Sequence, residues 1–191
     1  MQVPGAKAVA FALGSCSGAH FNPAVTVAIV CSGRGKCSPK DGAMYVGVQI
    51  FAGICAAFTY SALMNGESFA LKPAAYKWSQ VIVAELVFTF VLAFVVLSVA
   101  TVKTALSEYF GFAIGMCVTV GGCAIGKVSG GSLNPAVSIG ISTSHILGGG
   151  GFWPCLIYTL VELIAGGMAA GVFMLTQPSE YEGLKDEAQT A

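Results

Sequence analysis

Ser17-Gly-Ala-His-Phe-Asn22-Pro-Ala-Val-Thr26 and Ser129-Gly-Gly-Ser-Leu-Asn134-Pro-Ala-Val-Ser138 are the two stretches that decide the fold of this chain. Each carries Asn-Pro-Ala with Ser-Gly before it and Val behind it, so an internal duplication explains them better than coincidence. Asn followed by Pro also opens a helix: the Asn side chain caps it, and proline at the first helical position gives up an N–H that would lack a partner. A helix is therefore expected to start at Pro23 and again at Pro135.

Around these stretches the chain of 191 residues is 55% apolar and only 9% charged, with nine basic and nine acidic side chains. A soluble domain carries roughly 25% charged residues, so the deficit points to lipid as the solvent. Zero net charge argues against a nucleic-acid partner. The seven cysteines (Cys16, Cys31, Cys37, Cys55, Cys117, Cys123, Cys155) show no metal-binding spacing and read as small buried hydrophobes, with Cys123 the best position for a reactive thiol near a pore.

Apolar runs at 43–64, 81–102, 109–125 and 152–175 each approach the ~20 residues that cross a bilayer as a helix. A fifth run, 9–16, is too short to cross unless the opening residues join it, and no signal-peptide pattern precedes it. If the connector with Arg34, Lys36 and Lys40 is cytoplasmic, that side also receives Lys103 and Lys185, against Lys72, Lys77 and Lys127 opposite, in keeping with the positive-inside rule. The expected layout is one membrane domain over residues 1–176, with repeats at 1–65 and 79–176. A polar tail over 177–191 is expected to be solvated on the cytoplasmic side.

Tyr45-Val-Gly-Val-Gln-Ile-Phe-Ala-Gly53 matches Tyr158-Thr-Leu-Val-Glu-Leu-Ile-Ala-Gly166 at nearly the offset of the triplets. Three spans separate the triplets, which puts them on opposite faces: the repeat is inverted, and a shared site falls near the midplane. The segments 25–30 and 137–146 are too short to cross and read as half-helices dipping in from opposite sides. Irregular backbone at membrane depth survives only where protein buries it or water wets it. Residues 18–21 and 130–133 are thus expected to line an aqueous path. There the two positive helix ends would repel cations while the Asn22 and Asn134 amides bind neutral guests.

These motifs resemble the aquaporins, or major intrinsic proteins. The resemblance rests on both Asn-Pro-Ala boxes (Asn22, Pro23, Ala24 and Asn134, Pro135, Ala136), on Gly18-Ala19-His20-Phe21, on Ala84-Glu85 opening a span, and on the repeat. It implies an all-α membrane fold of six helices and two half-helices, assembled as a homotetramer with a pore in each subunit. Against that pattern the chain is expected to be truncated at its N-terminus, keeping four full spans, a partial one and both half-helices. The resemblance further implies a selectivity filter at Gln2, Gly122, Gly131 and Val137. Strict water channels place Arg after the second box; Val137 removes that fixed cation, so a wider, less polar filter is expected. Val there is similar to vacuolar (tonoplast-type) plant members, which pass small neutral solutes as well as water.

Other polar residues carry paired readings. Glu85 is implied to support the second loop by accepting hydrogen bonds, against a proton relay. Glu162, the repeat-mate of Gln49, stands where family members often have Pro; it is either a hydrogen-bonded group or a pH-sensitive element. His20 either lines a vestibule or is a hydrogen-bonded loop histidine. His145 reads as a helix-end side chain. The pairs Gly111/Gly115, Gly122/Gly126 and Gly167/Gly171 read as close helix contacts. No nucleophile, metal or phosphate-binding pattern supports an enzyme, and no cofactor is expected. The functional expectation is a passive channel for water and small uncharged solutes (urea, glycerol, ammonia or hydrogen peroxide), in the plasma membrane or a vacuolar or other intracellular membrane. The rivals are a non-conducting subunit of a tetramer and a secondary transporter, which would saturate.

Overall fold

The computed structural model describes residues 11–73, 75–105 and 108–182. Among them the regular structure is helical: the described part of α1 (11–17), α2 (Pro23–Cys31), α3 (Pro39–Leu63), α4 (Trp78–Ala100), α5 (Phe110–Ser129), α6 (Pro135–Leu147), α7 (Pro154–Thr176) and a 3₁₀ turn at Pro178–Tyr181. Four of these, α3, α4, α5 and α7, are long and apolar enough to cross a membrane. The half-helices α2 and α6 are capped as their sequences require: Asn22 and Asn134 sit in extended backbone and accept from Ala24 N and Ala136 N, with Pro at the first helical position.

Each half-helix packs on a span of the other repeat, α2 on α7 and α6 on α3. In lipid no hydrophobic force draws helices together, so small residues must let backbones approach. Gly166 of α7 lies against the Ala24 carbonyl, and its repeat-mate Gly53 of α3 lies against the Ala136 carbonyl. Gly140 of α6 in turn faces the Gly53 carbonyl. Val25 and Ile29 of α2, Leu92 and Leu97 of α4, and Ala169 and Phe173 of α7 form the buried core behind the first half-helix. Outward, Phe51, Val83, Leu156 and Leu160 are exposed, as an apolar surface in lipid requires.

Several sequence expectations are corrected. The glycines that meet another helix's backbone are Gly53, Gly140 and Gly166, whereas a methyl at Gly122, Gly126, Gly167 or Gly171 would meet nothing within 4 Å. Gly111 of α5 does pack closely, against the Phe11 ring of α1. Of the cysteines only Cys155 is buried, while Cys16, Cys31, Cys55 and Cys123 are exposed. The third span runs past its expected end at 125 as far as Ser129, where left-handed Gly130 ends it. The tail starts packed: Glu180 accepts from the Lys103 N–H at 2.9 Å and from the Arg34 guanidinium at 3.3 Å, and the Tyr181 hydroxyl donates to Ser32 O at 2.8 Å.

Candidate functional site

The two boxes meet through a reciprocal crossing. Asn22 Nδ2 donates to Leu133 O at 2.7 Å, and Asn134 Nδ2 donates to Phe21 O at 3.0 Å. Each accepting residue immediately precedes the opposite asparagine's partner box. Phe21 and Leu133 both have positive φ, 49° and 54°, a conformation that costs a non-glycine residue about 1–3 kcal/mol and here accompanies carbonyls aimed across the interface. Ala19 and Gly131, and Gly18 and Gly130, repeat the pattern in matching positions. With each Oδ1 held by its own cap and one amide hydrogen by the other loop, every asparagine keeps one N–H for a guest.

That donor pair borders a cavity of about 130 Å³, whose wall also holds His20, Ser132, Leu92, Val96 and Val137. The volume exceeds the roughly 30 Å³ share of one liquid water several-fold, room for a short file of small molecules between apolar walls. A second cavity of about 410 Å³ adjoins it and brings together Gly122, Gly131, Val137 and Cys123. Gly131 faces Gly122 with no room for a side chain between them: a methyl on Gly131 would lie 3.2 Å from Gly122 Cα. Three of the four expected filter residues thus share one wall; the fourth, Gln2, lies outside the described residues.

The second loop is gripped by two buried carboxyl groups on different spans. Glu85 of α4 accepts from Ser132 N at 3.1 Å and Leu133 N at 2.9 Å, and Glu162 of α7 accepts from Asn134 N at 3.0 Å. Three successive backbone donors at membrane depth are thereby satisfied, which lipid could not do. Tyr158 adds a fourth tie, its hydroxyl donating to Ser129 O. Residues 5–173 match the family described as major intrinsic protein. The chain belongs to that family.

Among its relatives are the "Probable aquaporin NIP4-2" of Arabidopsis thaliana (32% identity, covering 87% of this chain and 58% of the relative) and the "Aquaporin NIP1-1" of Zea mays (33%, 87% and 58%). A "Probable aquaporin NIP-type" of Nicotiana alata matches at 33%, over 82% of this chain and 57% of the relative. The chain spans under two thirds of the length of these proteins. They are NIP-type aquaporins, so the vacuolar-type likeness drawn from Val137 alone finds no support in them. With four candidate spans among the described residues, this major intrinsic protein is an integral, multi-pass membrane protein.

Sequence reasoning left Glu162 and His20 open and missed Arg34. Glu162 is fully buried and hydrogen-bonded, and His20 both lines the cavity and bonds Thr26 Oγ1 through Nδ1 at 3.2 Å. His145 is a helix-end side chain, its Nδ1 paired with Ser68 Oγ at 2.9 Å. Arg34, counted as an orienting surface charge, is buried over the Phe173 ring and bonds Thr101 O, Thr101 Oγ1 and Glu180. Among the described residues no cluster of metal-ligating side chains is present.

Proposed function

We propose that this protein acts as a passive, non-enzymatic channel for water and small uncharged solutes, of the urea, glycerol, ammonia or hydrogen peroxide class, and that it works as a homotetramer. One observation carries the reading: the free amide hydrogens of Asn22 and Asn134 border the same cavity where two half-helix N-termini face each other. Each N-terminus carries about half a positive charge. A cation or a protonated water meets repulsion there, while a neutral molecule gives its lone pairs to the asparagines. Gly122, Gly131 and Val137 would set a wide filter, since none offers the fixed cation that narrows a water-only pore.

A second reading, a subunit that does not conduct alone, is favoured by α3. Gly42 is its one buried residue, and a cleft of about 420 Å³ runs from Val48 and Gln49 to Asn134 and Val137. The test is the rate of volume change of proteoliposomes under sucrose, urea and glycerol gradients. Solute entry well above that of empty liposomes supports the wide channel. Lipid-like rates from folded protein would support the non-conducting subunit.

A further inference from the structure

Behind each pore-lining loop runs a three-residue hydrogen-bonded chain, and the two chains occupy matching positions of the repeat. In the second, Glu162 accepts from the Ser138 hydroxyl (3.1 and 3.3 Å to its two oxygens), and Ser138 Oγ lies 2.7 Å from Ser132 Oγ. In the first, Gln49 Nε2 donates to Thr26 Oγ1 at 3.0 Å, and Thr26 Oγ1 pairs with His20 Nδ1 at 3.2 Å. Each chain starts on a span, passes through the half-helix residue four places after the asparagine, and ends on a side chain of the cavity wall, Ser132 or His20.

We propose that Glu162 is a positioning residue of the pore, fixing Asn134 through its N–H and orienting the Ser132 hydroxyl through Ser138; the pore half of this rests on the channel reading above. The direction of the hydrogens follows from the donors. With Glu162 as a carboxylate accepting from Asn134 N and from the Ser138 hydroxyl, Ser138 in turn accepts from Ser132. The single Ser132 hydrogen goes to the nearer acceptor, Ser138 Oγ at 2.7 Å, with Asn134 O at 3.2 Å. Ser132 therefore presents lone pairs to the cavity, an acceptor beside the two asparagine donors. In the mate chain Thr26 Oγ1 has an acceptor in Asn22 O at 3.1 Å and receives Gln49 Nε2–H at 3.0 Å, so the His20 tautomer that donates Nδ1–H to Thr26 leaves Nε2 as an acceptor too. A guest such as urea, with both donors and an acceptor, is matched by such a wall better than by asparagines alone.

Hydrogen–deuterium exchange over residues 130–138, on the whole chain in nanodiscs, tests the hold on the loop in the wild type, Glu162→Gln and Glu162→Leu. Both replacements fill the space, and Gln alone keeps an oxygen for Asn134 N–H. Exchange should rise about tenfold or more in Glu162→Leu and stay within about threefold of wild type in Glu162→Gln. Equal exchange in the two variants overturns the positioning role. Ser138→Ala cuts the chain while sparing the Asn134 bond, so it should leave exchange at Asn134 near wild type and shift the urea-to-water permeability ratio about threefold or more in liposomes. An unchanged ratio in a conducting protein overturns the orienting role of Glu162 on Ser132. If the wild type conducts nothing, the channel reading falls, and the exchange comparison alone still decides whether Glu162 holds the loop.

Discussion

Replacing Gly166 with Ala should unseat the first half-helix, and the same change one residue on should not. A methyl at Gly166 would lie 3.1 Å from the Ala24 carbonyl carbon and 3.4 Å from Ala24 Cα, with the carbonyl oxygen closer still. Carbon atoms prefer about 3.5–4.0 Å, and all three neighbours are backbone, so no side chain can swing away. Helix α7 must retreat from α2, which as overpacking costs about 1–3 kcal/mol. For a chain of this length each kcal/mol moves Tm by roughly 2–4 °C. At Gly167 the added methyl meets nothing within 4 Å, and Ala gains up to about 1 kcal/mol of helix propensity over Gly. Thermal unfolding in detergent, followed by tryptophan fluorescence, should therefore show Gly166→Ala lower than wild type and Gly167→Ala equal or higher. Gly53→Ala, whose methyl would lie 2.9 Å from the Ala136 carbonyl carbon, should follow Gly166→Ala. Equal Tm values for the 166 and 167 variants would refute the crossing geometry.

Val137→Arg should lower urea and glycerol flux about tenfold relative to water flux, because a guanidinium narrows the wall shared with Gly122 and Gly131; the solute series in liposomes reads this directly. Asn22→Ala and Asn134→Ala each remove one helix cap and one crossing hydrogen bond, so each should cost about 2 kcal/mol. The near-symmetry of the crossing requires the two losses of thermal stability to agree within about 1 kcal/mol. Glu180→Ala leaves the Arg34 guanidinium, 2% exposed, without its carboxylate and should cost about 3 kcal/mol. Arg34→Ala combined with it should cost less than the sum of the two single changes, as a double-mutant cycle of unfolding midpoints would show.

What the sequence makes legible is what is local or repeated. Asn22-Pro23 and Asn134-Pro135 carry their own capping chemistry, and the spans carry their own length and hydropathy, so both half-helices and all four spans appear within a few residues of their expected places. Contacts between distant residues are not legible in this way. Glu162 announces only that it is costly in a span; its choice of Asn134 N and Ser138 depends on how α7 crosses the second loop. Glycines four apart suggest packing, yet Gly122/Gly126 and Gly167/Gly171 would accept a methyl freely while Gly53 and Gly166 would not, because the half-helix carbonyls arrive there. Arg34 looked like a surface charge since its partners, Thr101 and Glu180, lie far along the chain. The repeat alignment did contain a usable signal: the pairing of Gln49 with Glu162 and Thr26 with Ser138 marks both hydrogen-bonded chains once the triplets are superposed.

The temperature dependence of osmotic water flux in proteoliposomes tests the central claim most directly. A continuous path past Asn22 and Asn134 gives fast shrinkage under sucrose that changes little with temperature, does not saturate, and carries no proton current under a pH gradient. Shrinkage at lipid rates with the steep temperature dependence of bare bilayer, from protein verified as folded and inserted, would contradict it.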